Sequence, residues 1–535
     1  MEVGSQIAQS PLTPLDGVVP YPPEFQARYR QLGYWQDQTL DQVFSPLFAS
    51  GGSRTALVAG AIALSYSQLG EASARLAGGL YRLGLRARDR VVIHLPNCPE
   101  FVILHFALQR LGVIPVMALA AHRRYELEHY VNLTEAQAYF GSDPELAAEL
   151  RARGPSLRHT LMRHELLQLE GDEPPRLDID PQDPCLLLLS GGTTGIPKLI
   201  PRTHNDYVYN TRLASQAQAI CEESVQLCVL PLAHNMPLAC PGVQGLLLHG
   251  GRVVLAASTR AADALPAIAD HGVTHVAAVP ALYIRWLADP LAQRTDLSSV
   301  RLLQSGGQRL QPEVRRQLAR IFPNAFVQEN FGMSEGTLFF TRPTDPEEVR
   351  LETVGFPVSP DDEVRLTDEE GAEVAPGEVG ELTVRGPYTL RGYYRAEDYN
   401  PRVFTPDGFY RSGDLMRRHP SGAYLVEGRI KDLVNRGGEK ISAEEVENLI
   451  LTHPAVRNVA CVPVPDPVLG ERMCACVILR AGRSLSLEEL GAHLLGLGVA
   501  KFKLPERLEL VEDLPLSAFG KVSKKTLAAA LSPTP

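Results

Sequence analysis

Nothing in this 535-residue chain gathers its cysteines into a site. The eight (Cys98, Cys185, Cys221, Cys228, Cys240, Cys461, Cys474 and Cys476) are scattered, and the "CAC" at Cys474 lacks the second ligand pair of a zinc site. Several stand in apolar runs, where a free thiol packs as a small hydrophobe, so a reduced, cytoplasmic setting is expected. No apolar run reaches the length of a membrane span. The opening "MEVGSQIAQSPLTPLDG" has neither a basic n-region nor an apolar h-region, and a secretory signal is not expected. Positive charge is not in excess: 52 Lys and Arg stand against 62 Asp and Glu, a net charge of −10 with a pI near 5.8. That balance argues against nucleic acid or an anionic membrane as partner. Internal repeats and low-complexity tracts are also missing.

What is present is ordinary globular material, 44% hydrophobic and 21% charged, in a chain long enough for two or more domains. Helical spacing in "SYSQLGEASARLAGGLYRLGL" and "EFVILHFALQRLGV" alternates with the strand-like "DRVVIHLP" and "IPVMALA". Such alternation predicts an α/β fold of parallel sheets covered by helices through the first three-quarters of the chain. Towards the end the pattern changes. The glycine-punctuated, hairpin-like "GGAYLVEGRIKDLVNRGGEKIS" leads into a helix at "AEEVENLILTHPAV", strands at "NVACVPVPD" and "MCACVILR", and a helix at "SLEELGAHLLGLG". This predicts a small α+β second domain of about a hundred residues, with a boundary near Gly428–Asp432.

"LLLLSGGTTGIPK" reads as a strand feeding a loop able to cradle phosphate. Ser190, Gly191, Gly192, Thr193, Thr194, Gly195 and Lys198 supply close backbone approach, hydroxyls and a cation. The Walker spacing G-x-x-x-x-G-K-[ST] is not met, because Ile196 and Pro197 separate the last glycine from Lys198 and Leu199 follows it. Alone, the loop is equally a flexible connection after a buried strand. Four further motifs follow in order: "NFGMSEG" (Asn330–Gly336), "FYRSGDL" (Phe409–Leu415), "EGRIKDLVNRGGEKISAEEVE" (Glu427–Glu447) and "AFGKVSKK" (Ala518–Lys525). In isolation Asp414 reads first as a turn former, Glu335 reads also as a cap, and Arg429, Lys431 and Lys521 read also as solvated charge.

Together, over nearly the whole chain, these motifs resemble the adenylate-forming superfamily of acyl-CoA synthetases, luciferases and adenylation domains. The resemblance implies an adenylation domain over 1–428, a hinge over 429–432 and a mobile C-terminal lid over 433–535. It implies ATP and Mg2+ as cofactors, with a carboxylate joined to AMP, pyrophosphate released, and the acyl group passed to a thiol. The glycine-rich loop would wrap the leaving phosphates, Phe331 would face adenine, and Glu335 would hold the metal. Asp414 would accept the ribose hydroxyls, with Arg429 a second nucleotide contact. Gly307, Gln308, Asn330, Gly332, Met333 and Ser334 would complete the nucleotide site. Lys521 would be the catalytic lysine, Lys431 the hinge, and Gly437 and Gly438 the lining of the thiol channel.

Within that family, "LPLAHNMPLACPG" (Leu230–Gly242), "TLRGYYRAEDYN" and "GFYRSGDL" resemble the stand-alone aryl-acid AMP ligases of siderophore pathways. The implied acyl pocket comprises His234, Asn235, Met236, Cys240, Ser305, Gly306, Gly307, Asn330, Gly336 and Leu338. Asn235 stands where amino-acid adenylation domains carry an aspartate. A neutral amide hydrogen-bonds an ortho-hydroxyl but cannot balance an ammonium, which favours an aryl acid. His234 would border the carboxylate. Cys240 and Leu338 resemble the salicylate branch, whereas Met236 replaces an aromatic and Asn330 a valine. The expectation is a salicylate-like acid passed to an aryl carrier protein or coenzyme A by a monomer or homodimer. Alternatives are 2,3-dihydroxybenzoate, 3-hydroxypicolinate, a hydroxyanthranilate or a substituted salicylate. Retention of Lys521 and Asp414 argues against a non-catalytic protein on the same fold.

Overall fold

The computed structural model describes residues 13–175, 177–190, 197–307, 310, 312–436, 439–466, 469–497, 499–516 and 521–531. Gly191, Gly192, Thr193, Thr194, Gly195, Gln308, Gly437 and Gly438, all expected at the site, lie outside these residues, as does the side chain of Lys431.

The leucine run behaves as its composition dictates. Pro184–Leu189 is a strand buried at every position, sitting in a six-stranded sheet with helices packed on it. Its neighbours His159–Met162, Ala138–Gly141, Arg90–Ile93 and Ile114–Met117 run parallel, and Leu199–Thr203 returns antiparallel at one edge. A second sheet of nine strands has a parallel centre: Phe326–Gly332, Leu302–Gly306, His275–Ala278, Val225–Cys228, Arg252–Leu255 and Thr55–Ala59. The predicted helices Tyr66–Arg82 and Pro99–Leu111 lie among these strands. Tyr66–Arg82 starts with a Ser65–Gln68 capping box, and Pro99–Leu111 ends on Gly112 at φ 63°. One apolar cluster, running through Phe44, Leu80, Phe101, Leu188, Leu246 and Val253, joins both sheets.

One part of the first three-quarters departs from the expected parallel pattern. Glu363–Thr367, Val379–Arg385, Tyr410–Arg418 and Tyr424–Arg429 form a separate four-stranded antiparallel sheet. Its outer strand is half-exposed along most of its length, as suits an antiparallel sheet with one open face. The glycine-punctuated segment is therefore divided. Tyr424–Arg429 belongs to this sheet, a 3-10 turn Ile430–Asp432 follows, and the hairpin Leu433–Arg436/Glu439–Ser442 belongs to another. That last sheet, completed by Gly470–Leu479, Val456–Asp466 and Arg507–Leu510, carries the helices Ala443–Ile450, Leu487–Gly496 and Lys524–Leu531. It has its own apolar core around Val446, Val459, Ala475 and Leu490.

Candidate active site

The parallel centre of the nine-stranded sheet directs several chain segments to one edge. Strand Leu302–Gly306 ends at Gly307, Phe326–Gly332 runs into 333–336, His275–Ala278 reaches Val279, and Val225–Cys228 leads through Leu230 to helix Asn235–Ala239. Open parallel sheets bind ligands beyond the carboxyl ends of their strands. The cleft found there is lined by residues of all four segments, with Arg429 and Lys521 closing it from the C-terminal side. A Cβ on Gly307, which sits at φ 86°, would lie 2.7 Å from Lys521 Cε, so the lysine stem rests directly on this backbone.

At one end of the cleft the groups suit a nucleotide. Asp414 is buried on Tyr410–Arg418 opposite Arg429, whose Nε lies 2.6 Å from Asp414 Oδ1; the carboxylate holds the guanidinium pKa up. Glu335 is buried too, and its Oε1 accepts the Tyr393 hydroxyl at 2.8 Å, with the Tyr410 hydroxyl a further 2.8 Å on. Burial raises the Glu335 pKa, opposed by the Tyr393 hydrogen bond and by Arg429. Lys198 Nζ stands 3.7 Å from the centroid of the Tyr399 ring, and burial lowers its pKa. Ser190 Oγ accepts the Lys198 backbone N–H at 3.0 Å, so the two ends of the glycine-rich segment are tied together. Gly336, at φ 115°, turns under the Tyr388 carbonyl, which any Cβ would overlap.

The other end holds the residues that the sequence assigns to an acyl pocket. His234 caps helix Asn235–Ala239, its Nδ1 accepting the Met236 N–H at 3.2 Å, which leaves the ring proton on Nε2. Burial, then the nearby Lys521 ammonium, push its pKa down to about 4. Asn235 Nδ2 donates to Cys240 Sγ at 3.3 Å, while Asn235 Oδ1 is buried with no hydrogen-bond partner among the described residues. The Cys240 thiol, pushed up by burial to about 11, stays protonated. Met236, Gly306 and Asn330 meet at the floor, and Leu338 packs over Gly332.

Of the residues proposed from sequence, His234, Asn235, Met236, Cys240, Gly306, Gly307, Asn330, Gly332, Met333, Ser334, Glu335, Leu338, Arg429 and Lys521 line this one cleft. Asp414 reaches it through Arg429. Ser190, Lys198, Phe331, Ser305 and Gly336 are not part of its lining. Phe331 packs edge-on against Phe339, 5.8 Å between ring centroids, and Ser305 is fully buried in its strand.

Sequence reasoning passed over the residues that brace the site. Arg202, fully buried, pairs with Asp206 at 2.8 Å and donates to the Ser334 carbonyl at 3.1 Å and to Asn210 Oδ1 at 3.4 Å. Asn210 Nδ2 in turn donates to the Ala239 carbonyl at 2.8 Å and faces Cys240 Sγ at 3.6 Å. One buried guanidinium therefore links the "GMSEG" turn to the Cys240 corner. The available signal was an arginine inside the strand "LIPRT", with an aspartate four residues on, a charge that burial obliges to find partners. Tyr393, Tyr399 and Tyr410, which hold Glu335 or face Lys198, carried no comparable signal.

A cleft of this make-up, closed by a lysine from a small second unit, defines a class. Residues 48–394 match the family described as AMP-binding enzyme and residues 445–521 its C-terminal domain, so the chain belongs to the adenylate-forming AMP-binding enzymes. It is an ATP-using enzyme, closely related over nearly its full length to aryl-acid AMP ligases. It is 45% identical to a salicylyl-CoA synthase / salicylate adenylyltransferase of a Streptomyces species, over 96% of this chain and 97% of that one. It is 43% identical to the 2,3-dihydroxybenzoate-AMP ligase of Bacillus subtilis (strain 168), over 97% and 98%. Among solved structures, apo MbtA of Mycobacterium smegmatis superposes with a TM-score of 0.75 at 43% identity, covering 96% of this chain and 99% of that one.

Proposed function

We propose that this chain activates an ortho-hydroxy aryl carboxylate as its adenylate and passes the aryl group to the pantetheine thiol of a carrier protein. The observation that carries this reading is Asn235. Its amide is neutral and donates to Cys240 Sγ. The side chain lines the cleft, and its buried oxygen has no hydrogen-bond partner among the described residues, so a phenolic hydroxyl would find an acceptor there and an ammonium would lack a counter-charge. The names of similar proteins support it: one is a salicylate adenylyltransferase, and the Mycobacterium tuberculosis relative is a salicyl-AMP ligase / salicyl-S-ArCP synthetase, 42% identical.

The chemistry needs an anionic carboxylate to attack a polyanion, so the protein's task is positioning and charge neutralisation. Lys521, resting on Gly307 near His234, would neutralise charge where carboxylate and α-phosphate meet. His234, held neutral, would border the carboxylate without adding a second cation. The ribose would take Asp414, with Arg429 oriented by that carboxylate. Glu335, buried with a raised pKa, fits a bound magnesium ion, since a cation beside it offsets the cost of keeping the carboxylate charged. Glu335 would hold the ion, which would supply positive charge to offset that of the nucleotide phosphates. The domains divide at 429–432, with Lys431 as hinge. Transfer to the thiol follows rotation of the C-terminal unit away from the arrangement seen here.

Carboxylate-dependent exchange of pyrophosphate into ATP tests the reading. Salicylate and related ortho-hydroxy aryl acids should support exchange, and α-amino acids should not. Exchange driven only by amino or aliphatic acids would overturn it. Offering the adenylate to carrier protein and coenzyme A together decides the acceptor, and exclusive transfer to coenzyme A would replace the carrier.

A further inference from the structure

The floor of the acyl end holds a second amide that the proposed reaction leaves unused. Asn330 lies on Phe326–Gly332 beside Gly306 of the neighbouring parallel strand and is only 6% exposed. Its amide lies across that glycine: a Cβ there would stand 2.6 Å from Asn330 Oδ1, 2.9 Å from Nδ2 and 2.8 Å from Met236 Cε. Oδ1 has no hydrogen-bond partner among the described residues. Gly306 and the Met236 thioether share this corner of the floor, and a thioether supplies no hydrogen. The other pocket amide, Asn235, is already committed through Nδ2 to Cys240. A buried polar group left in this state forfeits the hydrogen bonds it had in water, and a hydrocarbon side chain of the same size would not.

We infer that Asn330 is a specificity-determining residue that reads a second hydrogen-bonding group on the substrate ring. The acid is then an ortho-hydroxy aryl acid more polar than salicylate, carrying a ring hydroxyl, an amine or a ring nitrogen on the edge that faces the Gly306–Asn330 floor. An amide offers both an acceptor and donors, so each of these groups finds a complement there. Met236 favours the same outcome, because an unbranched thioether leaves adaptable room beside the amide. This inference rests on the aryl-acid reading above and narrows its substrate.

Pyrophosphate exchange with salicylate, its ring-hydroxylated and amino forms and 3-hydroxypicolinate, on the wild-type chain and Asn330→Val, tests it. The wild type should use at least one polar acid with kcat/KM about tenfold or more above salicylate, and Asn330→Val should reverse that order. A wild type that prefers salicylate to every polar acid overturns the inference and leaves the aryl-acid reading standing, and this arm does not depend on the variant folding. An unchanged preference in folded Asn330→Val also overturns it. Exchange with no aryl acid at all overturns the reading and the inference together.

Discussion

His234 and Lys521 divide the labour of charge at the acyl end. An imidazolium beside the lysine would repel it and lose hydration, and both effects hold the ring neutral down to about pH 4. The sign follows: stability from the neutral ring is present above the ordinary histidine range and is lost as pH falls from about 6.5 through about 4. Arg202 carries a different burden. It and Asp206 are both essentially without solvent, and the guanidinium also holds the Ser334 carbonyl and Asn210. Removing one partner of such a pair strands the other charge. Arg202→Met should therefore lower folding stability by about 3–5 kcal/mol in equilibrium urea denaturation. A loss under about 1 kcal/mol would show that the pair contributes little. Lys521, Asp414 and Glu335 could be found in the sequence because each sits in a contiguous motif. The tie from Arg202 to the Ser334 carbonyl could not, because the two lie 132 positions apart and only the folded chain brings them together.

At the level of elements, the site is a consequence of strand direction. Parallel strands end side by side, so Leu302–Gly306 and Phe326–Gly332 deliver Gly307 and the 333–336 turn to the same edge. The buried leucine and valine runs made strands of the six-stranded sheet legible, such as Pro184–Leu189 and Arg90–Ile93. Leu302–Gly306 and Phe326–Gly332, by contrast, bury Gln304, Gln328 and Glu329 among their apolar residues and show no such run. The antiparallel sheet from Glu363 to Arg429 was not legible as a separate layer. Its strands are half-polar and glycine-interrupted, and the pairing of Asp414 with Arg429 depends on register across a bulge between Leu415 and Met416. The turn Ile430–Asp432, where the chain leaves this sheet for the C-terminal one, is the proposed hinge. Proline fixes φ near −65°, a value a 3-10 turn already uses, so Lys431→Pro should hold the turn as it stands. Adenylate formation should then stay within about twofold of wild type while thiol transfer falls about tenfold or more. Equal loss of both half-reactions would remove the hinge from 431.

At the scale of the whole molecule, the described residues include polar ties between the C-terminal unit and the larger one. Ser442 Oγ donates to the Glu427 carbonyl at 2.6 Å, and Arg285 reaches Asp513 at 3.2 Å with both side chains exposed. Exposed pairs of this kind contribute about 0–1 kcal/mol, so they select an arrangement without locking it. No described helix is long and apolar enough to cross a membrane. In the arrangement seen, Lys521 lines the cleft together with His234, Asn235 and Glu335, and we assign this arrangement to the joining of carboxylate and nucleotide. Single-turnover mixing of enzyme, ATP, magnesium and salicylate or a polar ring analogue, with the aryl-adenylate measured directly by mass spectrometry, tests that claim. Wild type should accumulate aryl-AMP. Lys521→Ala should form it at least about a hundredfold more slowly, yet still pass a preformed adenylate to the thiol. Adenylate formation undiminished in Lys521→Ala, or absent from the wild type with every aryl acid, would contradict the account.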